Sequence, residues 1–180
     1  MSVMFNSPGS AGKGRSRGSR PAQAVWAATG GGRLGRVLVG VTERGLAAVV
    51  FGESDAALQA GLAMRVDEPA AEVRDVLVRA LADVRRLIDD PAHALTVDLD
   101  VVGSPFQRRV PAGRTVTYAG LAASLGMPAG ARAVAAACAA NRLAVVIPCH
   151  RVVGSDGGLR GYRWGLERKR SLLAIERGAG

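Results

Sequence analysis

Ile147-Pro148-Cys149-His150-Arg151-Val152 sets a thiol beside an imidazole and, one position on, a guanidinium. The thiolate is the reactive form of cysteine, and a neighbouring base or cation raises its population at neutral pH. The apolar residues 143–147 just before it allow a second reading, because free cysteines are also among the most buried residues of cores. The text on either side decides between them.

Upstream, residues 118–125 predict a short helix ended by Gly126, and Met127-Pro128-Ala129-Gly130 predicts a turn. A second helix, rich in small residues, is predicted over about 131–140. Two short helices joined by a Gly-containing turn suggest a helix-turn-helix. Downstream, residues 166–177 predict a terminal helix bearing Leu166, Leu172, Leu173 and Ile175.

Nearer the N-terminus, residues 36–41 and 46–51 are apolar β-type runs split by Thr42-Glu43-Arg44-Gly45, a hairpin signal. Ser54 or Asp55 can cap a helix over about 56–64. Val73, Val76, Leu77, Ala80, Leu81, Val84, Leu87 and Ile88 recur at helical spacing between Pro69 and Asp89-Asp90-Pro91. Leu95, Val97, Leu99 and Val101 alternate with Thr96, Asp98 and Asp100, predicting a half-buried strand over 95–102. Residues 25–103 thus read as a small α/β domain with an antiparallel sheet, and residues 104–180 as a mostly α domain. His93 falls in a turn and reads as a solvated loop residue.

Charge divides along the same line. Residues 1–24 hold four cations and no acids and are rich in Gly, Ser, Arg and Pro, a disordered basic tail. Residues 25–105 sum to −4 and residues 106–180 to +9, which equals the whole chain's +9. Of the 24 basic residues 22 are arginine, a usage that covers every segment, yet only the last is so short of acids. Concentrated cations are what phosphate contacts require, so the C-terminal segment reads as a nucleic-acid surface. Two cysteines 11 positions apart give neither a disulfide framework nor a zinc pattern, and a reducing compartment fits. The nearly apolar residues 133–147 are interrupted by Asn141 and Arg142 and too short to span a bilayer. A cytoplasmic protein with no membrane partner is expected.

Several stretches together resemble the C-terminal domain of the O6-alkylguanine-DNA alkyltransferases. They are Thr117-Tyr118, Ala131-Arg132-Ala133-Val134, Ala139-Ala140-Asn141 and Pro148-Cys149-His150-Arg151-Val152-Val153-Gly154. The likeness continues through Gly161-Tyr162-Arg163-Trp164-Gly165-Leu166 to Lys169 and Leu172-Leu173-Ala174-Ile175-Glu176. Within that family the text is most similar to the repair domain of the bacterial adaptive-response protein, and fainter similarity runs back to about Leu34.

The resemblance implies a ribonuclease-H-like first domain and a winged helix-turn-helix in the second. It implies single-turnover transfer of the alkyl group from O6-alkylguanine, and from O4-alkylthymine, in double-stranded DNA to Cys149. A nucleotide in a duplex must be rotated out before a side chain can reach it. His150 would take the thiol proton through a water, and Glu176 would orient the imidazole. Asn141 would tie the helix-turn-helix to the active-site strand, and Tyr118 would crowd the phosphate and protonate the departing purine. Arg132 would fill the vacated stack, with Arg151 a further DNA contact. Val152, Tyr162 and Arg163 would line the base pocket, the Val152 backbone reading the exocyclic amine. No metal or cofactor is implied, and the protein would act as a monomer.

Without the resemblance other roles stand beside these: a core aromatic for Tyr118, a helix C-cap for Asn141, a phosphate contact for Arg132 and a solvated helix residue for Glu176. Cys138 and Trp164 read as packing. The chain also departs from the family, running from Phe106-Gln107-Arg108-Arg109-Val110 straight into Pro111-Ala112-Gly113-Arg114-Thr115, about seven residues short. Two helical turns are lost, and the shortened helix is expected to resume near its original facing. At position 142 stands Arg, where many relatives have Pro. Two other functions compete: a lesion-binding protein that flags alkylated bases without chemistry, and a transcriptional regulator using the helix-turn-helix.

Overall fold

The computed structural model describes residues 4–5, 25–101 and 110–178. It forms two compact units. The first holds the described residues up to Asp83 with Leu95–Val101; the second holds Val84–Ala94 and the described residues from Val110 onward.

In the first unit, β1 (Met4–Phe5), β2 (Trp26–Gly32), β3 (Gly35–Thr42) and β4 (Gly45–Gly52) make an antiparallel sheet in sequential order. The predicted hairpin is β3–β4, whose register shifts between Gly40 and Val41. Leu38, Val37 and Val39 are all fully buried, so both faces of β3 are covered. A Cβ at Gly40 would meet Leu62 of α1 (Asp55–Leu62) and one at Gly30 would meet Leu81 of α2 (Ala71–Asp89), each helix taking one face. Ser54 caps α1 by accepting from Ala57 N at 3.2 Å, as the cap rule predicts.

Three expectations change. Strand β2, Trp-Ala-Ala-Thr-Gly-Gly-Gly, carries residues depleted in strands, which hides it from sequence reading; at Gly30 a Cβ would lie 2.9 Å from a Leu81 methyl, which would have to shift. Residues 95–101 are not a strand: Asp83 takes Thr96 N at 2.6 Å and Thr96 Oγ1 at 2.8 Å. Only a bridge between Leu46 and Leu99 remains, although the burial alternation survives. Within residues 1–24, expected to be disordered, Met4–Phe5 pair with Thr29 and Ala28 along β2; the rest lies outside the described residues.

In the second unit, β5 (Val116–Thr117) leads directly into α3 (Tyr118–Ser124), capped by Thr117 Oγ1, which accepts from Gly120 N at 2.9 Å. Gly126, at φ 74°, turns the chain toward α4 (Ala131–Ala140). Val110, Leu121, Ala122, Val134 and Val152 form the core between these helices. A single 3-10 turn, Cys149–Arg151, precedes β6 (Val152–Val153), which pairs in parallel with β5, and α5 (Leu166–Glu176) closes the unit. The shortened helix expected around Phe106–Val110 falls almost wholly outside the described residues, and past Val110 the chain makes a turn. Pro111 accepts from Arg114 N at 3.3 Å and Gly113 sits at φ 72°, a left-handed conformation that ends helical geometry. Phe106–Arg109 and the Gly103-Ser104-Pro105 boundary lie outside the described residues.

Candidate active site

The Cys149 thiol is placed by the chain that precedes it. Residues 143–147 wind through a tight turn in which Val145 takes φ 67°, rare for a β-branched residue. Asn141, at the end of α4, holds that turn: its Nδ2 donates to Ile147 O at 3.0 Å and its Oδ1 accepts from Leu143 N at 2.9 Å. The same Nδ2 lies 3.0 Å from Cys149 Sγ, donating to it. A C-cap role alone would not reach the sulfur.

Cys149 is 8% exposed and lines a cleft of about 580 Å³ shared with Tyr118, Cys138, Ala139, Tyr162 and Arg163. The sulfur is therefore buried yet open to a cavity large enough for a nucleobase. Burial pushes the thiol pKa up; the Asn141 donor and the Lys169 charge pull it back only in part. The resting group is a thiol that needs a base.

An imidazole follows Cys149 in sequence. His150 is fully buried, and its Nε2 lies 2.8 Å from Glu176 Oε1. An ionised carboxylate only accepts, so Nε2 carries the proton and Nδ1 keeps its lone pair. Among the described residues Nδ1 has no hydrogen-bond partner. Burial lowers the imidazole pKa and Glu176 raises it in part, leaving a neutral ring at pH 7. Burial alone would raise Glu176, but hydrogen bonds from His150 and Arg151 outweigh it and hold the carboxyl at about 2.

Arg151, expected to contact DNA, is corrected to an internal clamp. Its Nε lies 2.9 and 3.0 Å from the two Glu176 oxygens, and its other nitrogens donate to Glu176 Oε1 at 2.7 Å and Val110 O at 2.6 Å. Those fixed donors match a carboxylate and a carbonyl at once. Glu176 Oε2 also accepts from Gly113 N at 3.2 Å. The shortened segment is thereby pinned to the Glu176 carboxylate.

Arg132 stands exposed in the first turn of α4. Tyr118 is half buried at the cleft wall, and burial raises its pKa, so its hydroxyl stays a donor. Tyr162 sets its ring edge-on to His150 at 6.4 Å between centroids, with its hydroxyl buried. Arg163 is exposed and stacks 5.1 Å over Trp164, which is packed as expected. Val152 is buried, and its carbonyl already accepts from Lys169 Nζ at 2.7 Å. Cys138 packs on the core between α3 and α4, and burial pushes its thiol up to about 12. The Arg151 clamp and Lys169 were missed. A signal existed for Lys169, the one lysine in an otherwise arginine-only stretch from residue 25 on. Among the described residues no helix is long and apolar enough to cross a membrane, and no group of three or more His, Cys, Asp or Glu is arranged to hold a metal.

Residues 106–178 match the family described as 6-O-methylguanine DNA methyltransferase, DNA binding domain. The bifunctional transcriptional activator/DNA repair enzyme Ada of Escherichia coli is 45% identical over 156 residues, 79% of this chain and 43% of that protein. A methylated-DNA–protein-cysteine methyltransferase of Mycolicibacterium paratuberculosis is 49% identical over 88 residues, 45% of this chain and 53% of that protein. The chain thus spans about half the length of these relatives. The crystal structure of Mycobacterium tuberculosis OGT in complex with DNA superposes with a TM-score of 0.65 at 28% identity, covering 84% of this chain and 92% of that one.

Proposed function

We propose that this chain repairs alkylated DNA directly, a reading supported by the match of residues 106–178 to the family described as 6-O-methylguanine DNA methyltransferase, DNA binding domain. The alkyl group of O6-alkylguanine, and of O4-alkylthymine, passes to Cys149 and stays there. The observation that carries the reading is a cysteine lining the cleft, its sulfur held by Asn141, followed in the same 3-10 turn by a histidine bonded to Glu176.

The chemistry balances on these groups. The thiol proton leaves by way of a water to His150 Nδ1, and Glu176 steadies the imidazolium that forms. The sulfur attacks the alkyl carbon; an S–C bond forms as the C–O6 bond breaks, and the electron pair goes to the purine. Tyr118 is the donor placed to relieve that charge. The thioether product has no simple return to thiolate, so one molecule is used per lesion.

The lesion reaches the sulfur as a flipped nucleotide, because stacked bases are out of reach. Arg132 at the start of α4 fills the gap, and the base lies against Val152, Tyr162 and Arg163. The same reading makes residues 25–103 a ribonuclease-H-like scaffold domain and residues 104–180 a winged helix-turn-helix domain that binds duplex DNA in the cytoplasm. Intact mass after incubation with an O6-methylguanine duplex tests it. One methyl is expected per chain, and none in Cys149→Ser; tight binding with no mass gain would replace repair by lesion flagging.

A further inference from the structure

Asp156 and Arg160 share the loop between β6 and α5, and Arg160 lines the cleft together with Tyr118, Cys149 and Tyr162. Arg160 Nη2 donates to Asp156 Oδ2 at 2.7 Å, and their side chains are 53% and 59% exposed. Asp156 Oδ1 accepts separately from Gly158 N at 3.0 Å. The Gly158 amide first, and then Arg160, hold this carboxyl below its usual range, so it is charged at neutral pH.

The pair rests on two glycines. A Cβ at Gly154 would lie 2.6 Å from Asp156 Oδ1 and 3.0 Å from Arg160 Nε, and one at Gly158 would lie 2.8 Å from Arg160 Nη1. Bare backbone at both positions thus lets carboxylate and guanidinium lie flat on the loop. The Arg160 carbonyl accepts from Lys169 Nζ at 3.2 Å, which ties its backbone to α5 while the guanidinium stays at the surface. That guanidinium can change partner without moving the loop.

An acid here runs against the charge of its surroundings. Residues 106–166 carry eight arginines and one acid, and the acid is Asp156. On a surface that receives a polyanion, a carboxylate repels the partner and neutralises a cation that phosphate contacts would use. An exposed ion pair adds little to stability, so the fold does not account for it. A guanidinium fits phosphate as well as carboxylate, through two parallel donors. When Arg160 leaves, Asp156 keeps its Gly158 hydrogen bond, so neither charge is stranded.

We propose that Arg160 is a binding residue for a backbone phosphate of the nucleotide entering the cleft, and that Asp156 holds its guanidinium until the phosphate takes the carboxylate's place. The inference rests on DNA being what enters the cleft. Duplex that never brings a phosphate to the cleft leaves Arg160 paired, so the exchange favours nucleotides that go in.

The test compares the full wild-type chain with Arg160→Gln, Asp156→Asn and the double variant. Both positions are exposed, and Asp156→Asn keeps the oxygen that accepts from Gly158 N. Single-turnover methyl transfer is read on an O6-methylguanine duplex below saturation, and binding of that duplex is followed against salt in a Cys149→Ser background. Arg160→Gln is expected to slow transfer about tenfold and to reduce the slope of log affinity against log salt by about one. Asp156→Asn is expected to speed transfer about threefold, a gain that disappears in the double variant. Reaction with free O6-methylguanine base, which has no phosphate, should be the same in all of them. An unchanged salt slope in Arg160→Gln overturns the proposal, as does an equal loss on the free base. So does an Asp156→Asn gain that is absent, or that persists without Arg160. Wild-type protein that takes no methyl from either substrate sinks the repair reading; the salt slopes then decide the Arg160 contact by binding alone.

Discussion

Glu176 meets His150, Arg151 and the Gly113 backbone at once, so a single carboxylate holds the imidazole and anchors the turn after Val110. Glu176→Gln keeps one acceptor oxygen and loses the charge. Methyl transfer in single turnover is expected to slow while DNA affinity stays nearly intact, and an unchanged transfer rate would refute the orienting role. Stability should fall as well, by on the order of 3 kcal/mol, because the buried guanidinium keeps a weaker partner. The pH dependence follows from the sign of the shifts. Glu176 has a folded pKa near 2, below its ordinary value, so its contribution is complete above about pH 4.5 and is lost as pH falls toward 2. His150, also held below its ordinary value, costs stability as pH drops below about 6.5. Thermal melts from pH 7 to 2 should therefore decline steeply in the wild type and less steeply in Glu176→Gln below pH 4.5. The His150–Glu176 contact agrees with what the family resemblance implies, whereas spacing alone left Glu176 a solvated helix residue. Arg151 was misread, since nothing in a run of neighbouring letters says which way a guanidinium turns.

At the level of elements, two backbone positions among the described residues lie in the left-handed region without being glycine. Ala63 ends α1 at φ 50° and is exposed, so Ala63→Gly removes strain and forfeits no packing. A gain of about 1 kcal/mol is expected in chemical denaturation. Val145 at φ 67° is 6% exposed, and there the two effects oppose. Strain relief of about 1–3 kcal/mol offsets a side-chain burial worth about 1.5–3, so Val145→Gly should be nearly neutral in stability. Loss of more than about 2 kcal/mol would mean the turn is not strained. Helices α2, α3, α4 and α5 were legible because their apolar spacing and caps are local signals. Strand β2 and the pairing of β5 with β6 were not, for both depend on partners distant in sequence. The alternation over 95–101 predicted its burial correctly but not its pairing, because Asp83 claims the backbone that a ladder would need.

For the whole molecule, the +9 on residues 106–180 against −4 on residues 25–105 predicts which half meets a polyanion. Binding to undamaged duplex should weaken steeply and linearly in log salt. A salt-independent affinity would rule out phosphate contacts as its main source. Arg132→Ala should reduce repair of duplex lesions far more than reaction with a free guanine analogue; equal losses on both would remove its gap-filling role. Composition alone exposed this division of labour, whereas the cleft itself, built from α3, α4, the acceptor turn and the 160–163 loop, needs tertiary structure to be seen.

The ladder between Val116–Thr117 and Val152–Val153 has only two rungs, and it joins the start of α3 to the residues just past Cys149. Strand side chains alternate sides with every step, so sliding this pairing by one notch would turn Val152 from the core and shift the Cys149 turn that precedes it. Position at that turn is thus digital: on the proposed repair reading, the sulfur either keeps its bearing on an incoming lesion or misses it altogether.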